Sequence, residues 1–331
     1  MNPLIARIEN RQDLDQDQAR QLADGFFNGT LDEPAMQTAL LAFNEKGVAV
    51  DELVGFAISM RTHSVAIHPN VAVTDTCGTG GDGAGTFNIS TASAILVASC
   101  GVAVAKHGNR GQSSSTGSAD VLETLGVPIN LPPEQTQKRI ESASFGFLFS
   151  PLYHPAMKRV APVRKALGVK TIFNMLGPLT NPAKPASQVI GAYNLDAQDK
   201  MAQAASHLGI RRAFVVHSEG NDEAGLGRTR VLDVDGKKIS ESKIEPQHFG
   251  IQQSAESLQV QDAQESAGKI RTALSEVTTL ESRIVCLNAA LALVAAGKAP
   301  DLQSGFSLAQ ESVQSGKTAE KLVQISEAAY A

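Results

Sequence analysis

The chain has 331 residues, 42% hydrophobic and 19% charged, with a formal net charge of −5, which is the make-up of a folded globular protein and excludes a disordered one. The negative balance also excludes bulk attraction to nucleic acid or to an anionic membrane, so an anionic ligand has to be held by a local arrangement of groups. Cys77, Cys100 and Cys286 are too widely spaced for a zinc cluster or a disulfide framework, and free thiols in a reducing cytoplasm are expected.

A chain longer than ~250–300 residues is expected to divide its core between two lobes. Residues 1–16 show no positive n-region followed by an apolar h-region. The most apolar later stretch, 289–296, is too short to span a bilayer. The first 65 residues read as helices only. Ala19, Leu22 and Phe26 share one helical face. Thr30-Leu31-Asp32-Glu33 has the form of a capping box, with Pro34 in the first turn of an apolar run through Leu41 and Phe43. Leu53, Val54, Ala57, Ile58 and Met60 line a further helix. A small all-α lobe over 1–70 and an α/β lobe over 71–331 are therefore expected.

From Val71 the period changes to that of a strand (VAVTD), then comes a glycine loop, a small-residue helix over 88–100 and a buried strand, GVAVAKHG. That unit builds a parallel sheet with right-handed crossovers. Further strands are expected at 147–149, 188–193, 213–217 and 230–234, the last turning through Asp235-Gly236 into KKIS as a hairpin. Helices are expected at 119–125, 133–143, 196–208 and 280–296. The stretch 171–187, with three prolines and a glycine, reads as a crossing between the lobes rather than an element of either.

The glycine loop, Asp75 to Ser90 in DTCGTGGDGAGTFNIS, admits several readings. A dinucleotide fingerprint requires the helix to open at the last glycine and an acid at the end of the second strand. Here the loop runs on through Ala84-Gly85-Thr86-Phe87, and the second strand ends in Lys106-His107. A Walker A loop requires GK[ST], which is absent. A longer cradle remains, in which glycine amides and the helix start near Asn88 hold a large anion, helped by Thr86, Asn88, Ser90 and Thr91. The plain structural alternative is turns and a helix cap. A second loop, KHGNRGQSSSTGS over 106–118, favours the cradle. It follows the next strand, so both loops face one crevice beyond the strands' carboxyl ends. Lys106 and Arg110 supply positive charge; Asn109, Ser113, Ser114 and Ser118 supply short donors. HSEGNDE then places Asp222 and Glu223 at a third strand end. Paired acids there suit magnesium shared with phosphate oxygens, with Ser90 as a possible further ligand.

GTGGDG, TFNIST, KHGNR with its serines, FLFSPLYHPAM leading into PVR, FNMLGPLTNP and GNDE together resemble anthranilate phosphoribosyltransferase, in the family's order and over roughly residues 75–223. The resemblance implies a nucleoside phosphorylase / phosphoribosyltransferase type of α/β fold: a small all-α N-terminal lobe plus a larger lobe with a mostly parallel central sheet. Parts of about 165–186 would pack at or cross to the helical lobe, through which the chain would pair as a homodimer. It implies transfer of the phosphoribosyl group of phosphoribosyl pyrophosphate to the amine of anthranilate, releasing pyrophosphate, in tryptophan biosynthesis. By motif position the donor would touch Gly78, Gly81, Asp82, Thr86, Asn88, Ile89, Ser90 and Thr91. It would also touch Lys106, His107, Gly108, Asn109, Arg110, Gly111, Gln112, Ser113, Ser114 and Ser118. Gly78, Asn109 and Arg164 would touch anthranilate. Ser90, Asp222 and Glu223 would bind Mg2+, and no residue takes the part of a dedicated general base. Gly111-Gln112 and Ser115 depart from the family pattern, which often has a lysine near 115. A pyrimidine nucleoside phosphorylase shares the architecture but fits KHGNR and NIST less well. A non-catalytic nucleic-acid binder is disfavoured by the negative charge, the acidic pair and Arg164.

Overall fold

The computed structural model describes residues 2–80, 83–111, 115–219, 221–252 and 255–327. Helix α1 (Pro3–Glu9) starts at Asn2, whose side chain accepts from the Leu4 N–H. Helix α2 (Gln16–Asn28) opens with a capping box between Asp15 and Gln18 and ends at Gly29 in left-handed backbone. The cap expected at Thr30 is corrected: α3 (Glu33–Lys46) is capped by Asp32, which accepts from the Ala35 N–H at 3.0 Å. A cap at Thr30 would have put Pro34 where an intrahelical N–H is needed; with Asp32 as cap, Pro34 falls among the orphan donors of the first turn. Helix α4 (Val50–Thr62) completes the entry lobe. Leu41 belongs to the outer face of α3 and is 43% exposed, whereas Ala39, Leu40 and Phe43 are fully buried.

The remaining elements are β1 (Val73–Gly78), α5 (Ile89–Ser99), β2 (Ala103–Gly108), α6 (Ser118–Thr124), α7 (Pro133–Ala143), β3 (Phe145–Phe149), α8 (Ser150–Tyr153), α9 (Met157–Leu167), α10 (Phe173–Leu179) and β4 (Ser187–Gly191). They continue with α11 (Leu195–His207), β5 (Arg212–Ser218), β6 (Thr229–Asp235), β7 (Lys238–Ile244), α12 (Ala263–Ser275), α13 (Leu280–Ala295), α14 (Leu302–Gln314) and α15 (Lys317–Glu327). Every strand expected from the sequence is present, and the hairpin turns at Gly236 with φ 59°.

The sheet has seven strands in the order β3-β2-β1-β4-β5-β6-β7. Strands β1 to β5 run parallel and β6 and β7 antiparallel, so it is mostly parallel. The chain leaves β1 towards β2 on one side and returns to β4 on the other. That makes the β1/β4 boundary the topological switch point, beyond whose carboxyl ends ligands bind in such sheets. One face is covered by α5 and α13. On the other, α11, α10 and α9 merge with α1 to α4 into a single apolar core.

The stretch 171–187 does cross between layers, but it carries an element of its own, α10. Phe173 at its start enters the helical lobe, with its ring 5.9 Å from that of Phe56. At its end the side chains of three other elements take successive carbonyls: His107 that of Gly177 at 3.0 Å, Gln188 that of Pro178 at 2.9 Å and Arg61 that of Leu179 at 2.8 Å. These bonds satisfy the open carbonyls of a short proline-containing helix, which local propensity would not support. Among the described residues no single helix is long and apolar enough to cross a membrane.

Candidate functional site

Strands β1 and β4 end in a pair of opposed glycines, Gly78 and Gly191. Asp222 lies directly over both. A Cβ on Gly78 would overlap the Asp222 carboxylate, and one on Gly191 would overlap the Asp222 main-chain carbonyl. Only bare backbone lets the acidic turn settle on the switch point. From there the Asp222 carboxylate accepts from the Gly80 N–H at 2.9 Å, and that of Glu223 accepts from the Ser90 N–H at 3.1 Å. The first turn of α5 is thus a helix N-terminus facing a carboxylate, the arrangement its dipole favours.

The second loop joins the same assembly. Asn88 stands at the N-cap of α5 but makes no side-chain cap bond, so the plain alternative of a helix cap does not hold for its side chain. Its Nδ2 donates to the Thr116 carbonyl at 3.3 Å, and its Oδ1 accepts from the Ser266 hydroxyl at 2.8 Å. Ser118 abuts Gly108 so closely that a Cβ there would overlap its hydroxyl. The N–H groups of Gly111 and Gly117 both donate to Asp120, at 2.8 and 3.0 Å. The first loop and the start of α5 thus direct main-chain donors at the acidic turn, whereas the Gly111 and Gly117 amides of the second loop are taken up by Asp120 of α6 itself. Residues 258–260, a tie without any local signal in the sequence, support both: the Phe87 N–H donates to the Leu258 carbonyl at 2.9 Å, and Ser115 donates to that of Val260 at 3.0 Å. Ser115, the departure from the family pattern, is thus a loop anchor.

Two expected cations stand differently from the sequence reading. Arg110 is not a free charge on the rim; it pairs with Asp120 at 2.8 Å and Glu123 at 3.0 Å on α6. Those acids face it because they lie three apart on one helical face. Lys106 is 2% exposed, and its ammonium donates to the Thr76 carbonyl at 2.6 Å. It sits beneath the cradle, where a low dielectric carries its charge further than at the surface. Asp75, fully buried, accepts from Asn181 at 2.8 Å and from the His107 N–H at 3.3 Å. Burial raises its pKa, against the opposing pull of Lys106. Asp75 and Asn181 were missed in the sequence; the only sign of them was an acid inside a buried strand and the TNP that ends the crossing segment.

His107 faces α8 and α10. The Gly177 carbonyl can only accept, so Nδ1 carries the proton and Nε2 accepts from the Ser150 hydroxyl at 2.9 Å. The His154 ring lies 5.1 Å away, and burial pushes the pKa of His107 down to about 4 and that of His154 to about 3. Below the ordinary value of 6.5 the unfolded chain takes up a proton that His107 refuses in the fold. Stability is therefore whole above that pH and is lost as pH falls towards 4. Urea titrations should show a decline of about 2–3 kcal/mol from His107 alone across that window. His107→Gln should flatten it, and an unchanged slope would contradict the assignment.

Arg164 stands on α9, half-buried, with its guanidinium 5.6 Å from the Phe173 ring centre and its Nη2 donating to Asn174 Oδ1 at 3.5 Å. Desolvation lowers its pKa. Its link to Gly78 and Asn109 is indirect. It runs through α10, whose Gly177 carbonyl holds His107, two residues before Asn109. The Asn109 carbonyl accepts from the Ser118 hydroxyl at 3.3 Å. Thr86 pairs with Gln259, while Ile89 and Thr91 are buried in the first turn of α5. Gly81, Asp82, Gln112, Ser113 and Ser114, expected as donor contacts, lie outside the described residues.

Thr76, Gly78, Ser90, Gly191 and Glu223 are among the residues that line one small cavity. Among the described residues no three His, Cys, Asp or Glu side chains gather into a metal cage. Two carboxylates and a hydroxyl are an open set of hard oxygens, which suits a magnesium ion completed by ligand oxygens and water.

Comparison with known proteins covers nearly the whole chain. A family described as glycosyl transferase family, helical bundle domain, matches residues 2–64, and one described as glycosyl transferase family, a/b domain, matches residues 70–319. The anthranilate phosphoribosyltransferase of Desulfosudis oleivorans is 44% identical over 328 residues, covering 98% of this chain and 97% of its own. That of Desulfatibacillum aliphaticivorans is 43% identical over 323 residues, 96% of each chain. The crystal structure of the Thermus thermophilus anthranilate phosphoribosyltransferase superposes with a TM-score of 0.92 at 38% identity, over 98% of each chain. The Saccharomyces cerevisiae enzyme, in complex with phosphoribosyl pyrophosphate and Mg, shares the fold with a TM-score of 0.86 at 23% identity, over 95% of this chain and 93% of its own.

Proposed function

Because this chain belongs to the anthranilate phosphoribosyltransferase family, and so transfers the phosphoribosyl group of phosphoribosyl pyrophosphate to the amine of anthranilate in tryptophan biosynthesis, we propose that the switch-point crevice holds the sugar donor and the corner of α9 and α10 the acceptor. One observation carries this division. The acidic turn rests on the joined ends of β1 and β4 and touches the glycine loop and the start of α5 together.

Asp222, Glu223 and Ser90 would hold Mg2+, which when bound supplies countercharge to the pyrophosphate. The Saccharomyces cerevisiae enzyme is known with donor and Mg together, which supports the same use here. The protein's own share is positioning. The amides of Gly80 and Ser90 now point at carboxylates and would turn to phosphoryl oxygens. Lys106 adds a fixed buried charge below them. As pyrophosphate leaves, negative charge builds on it and the sugar becomes oxocarbenium-like. Donors fixed before the reaction therefore stabilise the transition state more than the ground state. The aromatic amine is already neutral near pH 7 and needs no strong base, so His107 and His154, both held neutral, suit an acceptor wall better than proton transfer. Arg164 offers a planar fork to the anthranilate carboxylate. A homodimer through the helical lobe, where Leu41 is left exposed, and a cytoplasmic location, which three free thiols fit, complete the reading.

Loss of anthranilate fluorescence on adding phosphoribosyl pyrophosphate, with and without magnesium, tests the whole. Turnover of thymidine with phosphate instead would transfer the chain to the phosphorylase reading. Arg164→Ala should raise KM for anthranilate about ten-fold or more while KM for the donor stays within about two-fold. Equal effects on both would remove Arg164 from the acceptor site.

A further inference from the structure

Although the protein is negative overall, residues 142–195 contain no aspartate or glutamate and six lysines and arginines: Lys158, Arg159, Arg164, Lys165, Lys170 and Lys184. Elsewhere positive charge is often spent in ion pairs, as at Lys46, Arg110, Arg212 and Arg230. Among the described residues none of the six in this run makes one. Lys158, Arg159 and Lys165 are exposed on α9, whose inner face is Val160 and Val163. The run also has a defined place. It leaves the carboxyl edge of β3, passes His154 beside the His107 ring, and returns to His107 through the Gly177 carbonyl. Lys158 and Lys165 therefore stand on the solvent side of the helix that carries Arg164, and the Arg159 guanidinium lies beside Gly29 at the end of α2.

We propose that this acid-free run is an electrostatic guide for the anionic acceptor: Lys158, Arg159 and Lys165 draw the carboxylate towards Arg164 without touching it once bound. The proposal rests on the acceptor site assigned above. The physical basis is that a cleft walled by one sign of charge raises the local concentration of the opposite ion and its association rate. The rest of the surface is net negative, which would otherwise repel an aromatic carboxylate.

The guide predicts an effect on arrival and none on the bound state. The association rate of anthranilate, followed by its fluorescence on the donor-loaded enzyme, should fall about three-fold or more between about 20 mM and 500 mM salt. In the triple variant Lys158→Gln, Arg159→Gln, Lys165→Gln, the low-salt rate should drop to the high-salt value and the salt dependence flatten, with kcat at saturation unchanged. The charge-keeping variant Lys158→Arg, Arg159→Lys, Lys165→Arg should retain the wild-type profile. A neutral acceptor, 2-aminobenzamide, should associate equally with wild type and the triple glutamine variant. An unaltered salt profile in the glutamine variant, or an equal slowing of the neutral acceptor, overturns the guide while leaving the transferase assignment standing. Failure of wild type to turn over at saturating substrates would instead remove the assignment beneath it.

Discussion

Alanine at both Asp222 and Glu223 should lower kcat/KM by about a thousand-fold or more, among the larger losses expected of electrostatic catalysis. The two side chains do different work from one turn. The Asp222 carboxylate is tied to the Gly80 N–H and sits over the ends of β1 and β4, while that of Glu223 takes the first free amide of α5. Removing both takes the formal net charge from −5 to −3, so the donor's pyrophosphate still faces a negative protein, now with less to anchor its metal. Raising magnesium should recover part of the loss, because a weakened site fills by mass action. The single variants should each shift the magnesium requirement upward. Wild-type turnover and an unchanged magnesium titration in the double variant would detach the acidic turn from the reaction. The fold should survive the change: Asp222 takes a loop amide, Glu223 one amide of the first turn of α5, and neither belongs to the apolar core.

Much of this arrangement could be read before any coordinates. The alternation in VAVTD and GVAVAKHG, with glycines between them, announces strand, loop, helix and strand, because backbone period and turn chemistry are local properties. The rule that loops beyond parallel strands share a crevice then brought three distant turns together. What stayed hidden depends on partners far apart in the chain. Asn181 bonds to Asp75, 106 residues earlier, and no local pattern announces a buried acid satisfied in this way. Arg110 looked like a free cation because Asp120 and Glu123 face it only once α6 has packed. Lys106 alternates with His107 along β2, and the sequence could not say that its ammonium would be taken up by the Thr76 carbonyl. Helix α10 was concealed by Pro178 within it and by the two prolines that follow. Its carbonyls are satisfied by Arg61, His107 and Gln188, drawn from three separate elements.

Gly191→Ala should be nearly as damaging as loss of an acid, although Gly191 was not marked in the sequence. It ends β4 opposite Gly78, and the space above it is filled by the main chain of Asp222. A methyl group there meets backbone, which cannot rotate aside, so either the acidic turn lifts or β4 shifts from β1. Overpacking of this kind costs about 1–3 kcal/mol of stability. A displacement of about 1 Å at a site that works by positioning can cost about a hundred-fold in rate. At Gly78 the added methyl would meet the carboxylate end of Asp222 instead, a group that can swing. Gly191→Ala should therefore be the worse of the two in thermal stability, and both should demand more magnesium. Gly268→Ala on α12, where nothing lies within 4 Å of the new carbon, serves as the reference. It should keep full activity and gain about 0.5–1 kcal/mol from helix propensity. If Gly191→Ala matched that reference in rate and magnesium requirement, the acidic turn would not be held by the glycine ends of the two strands, and the site would need a different support.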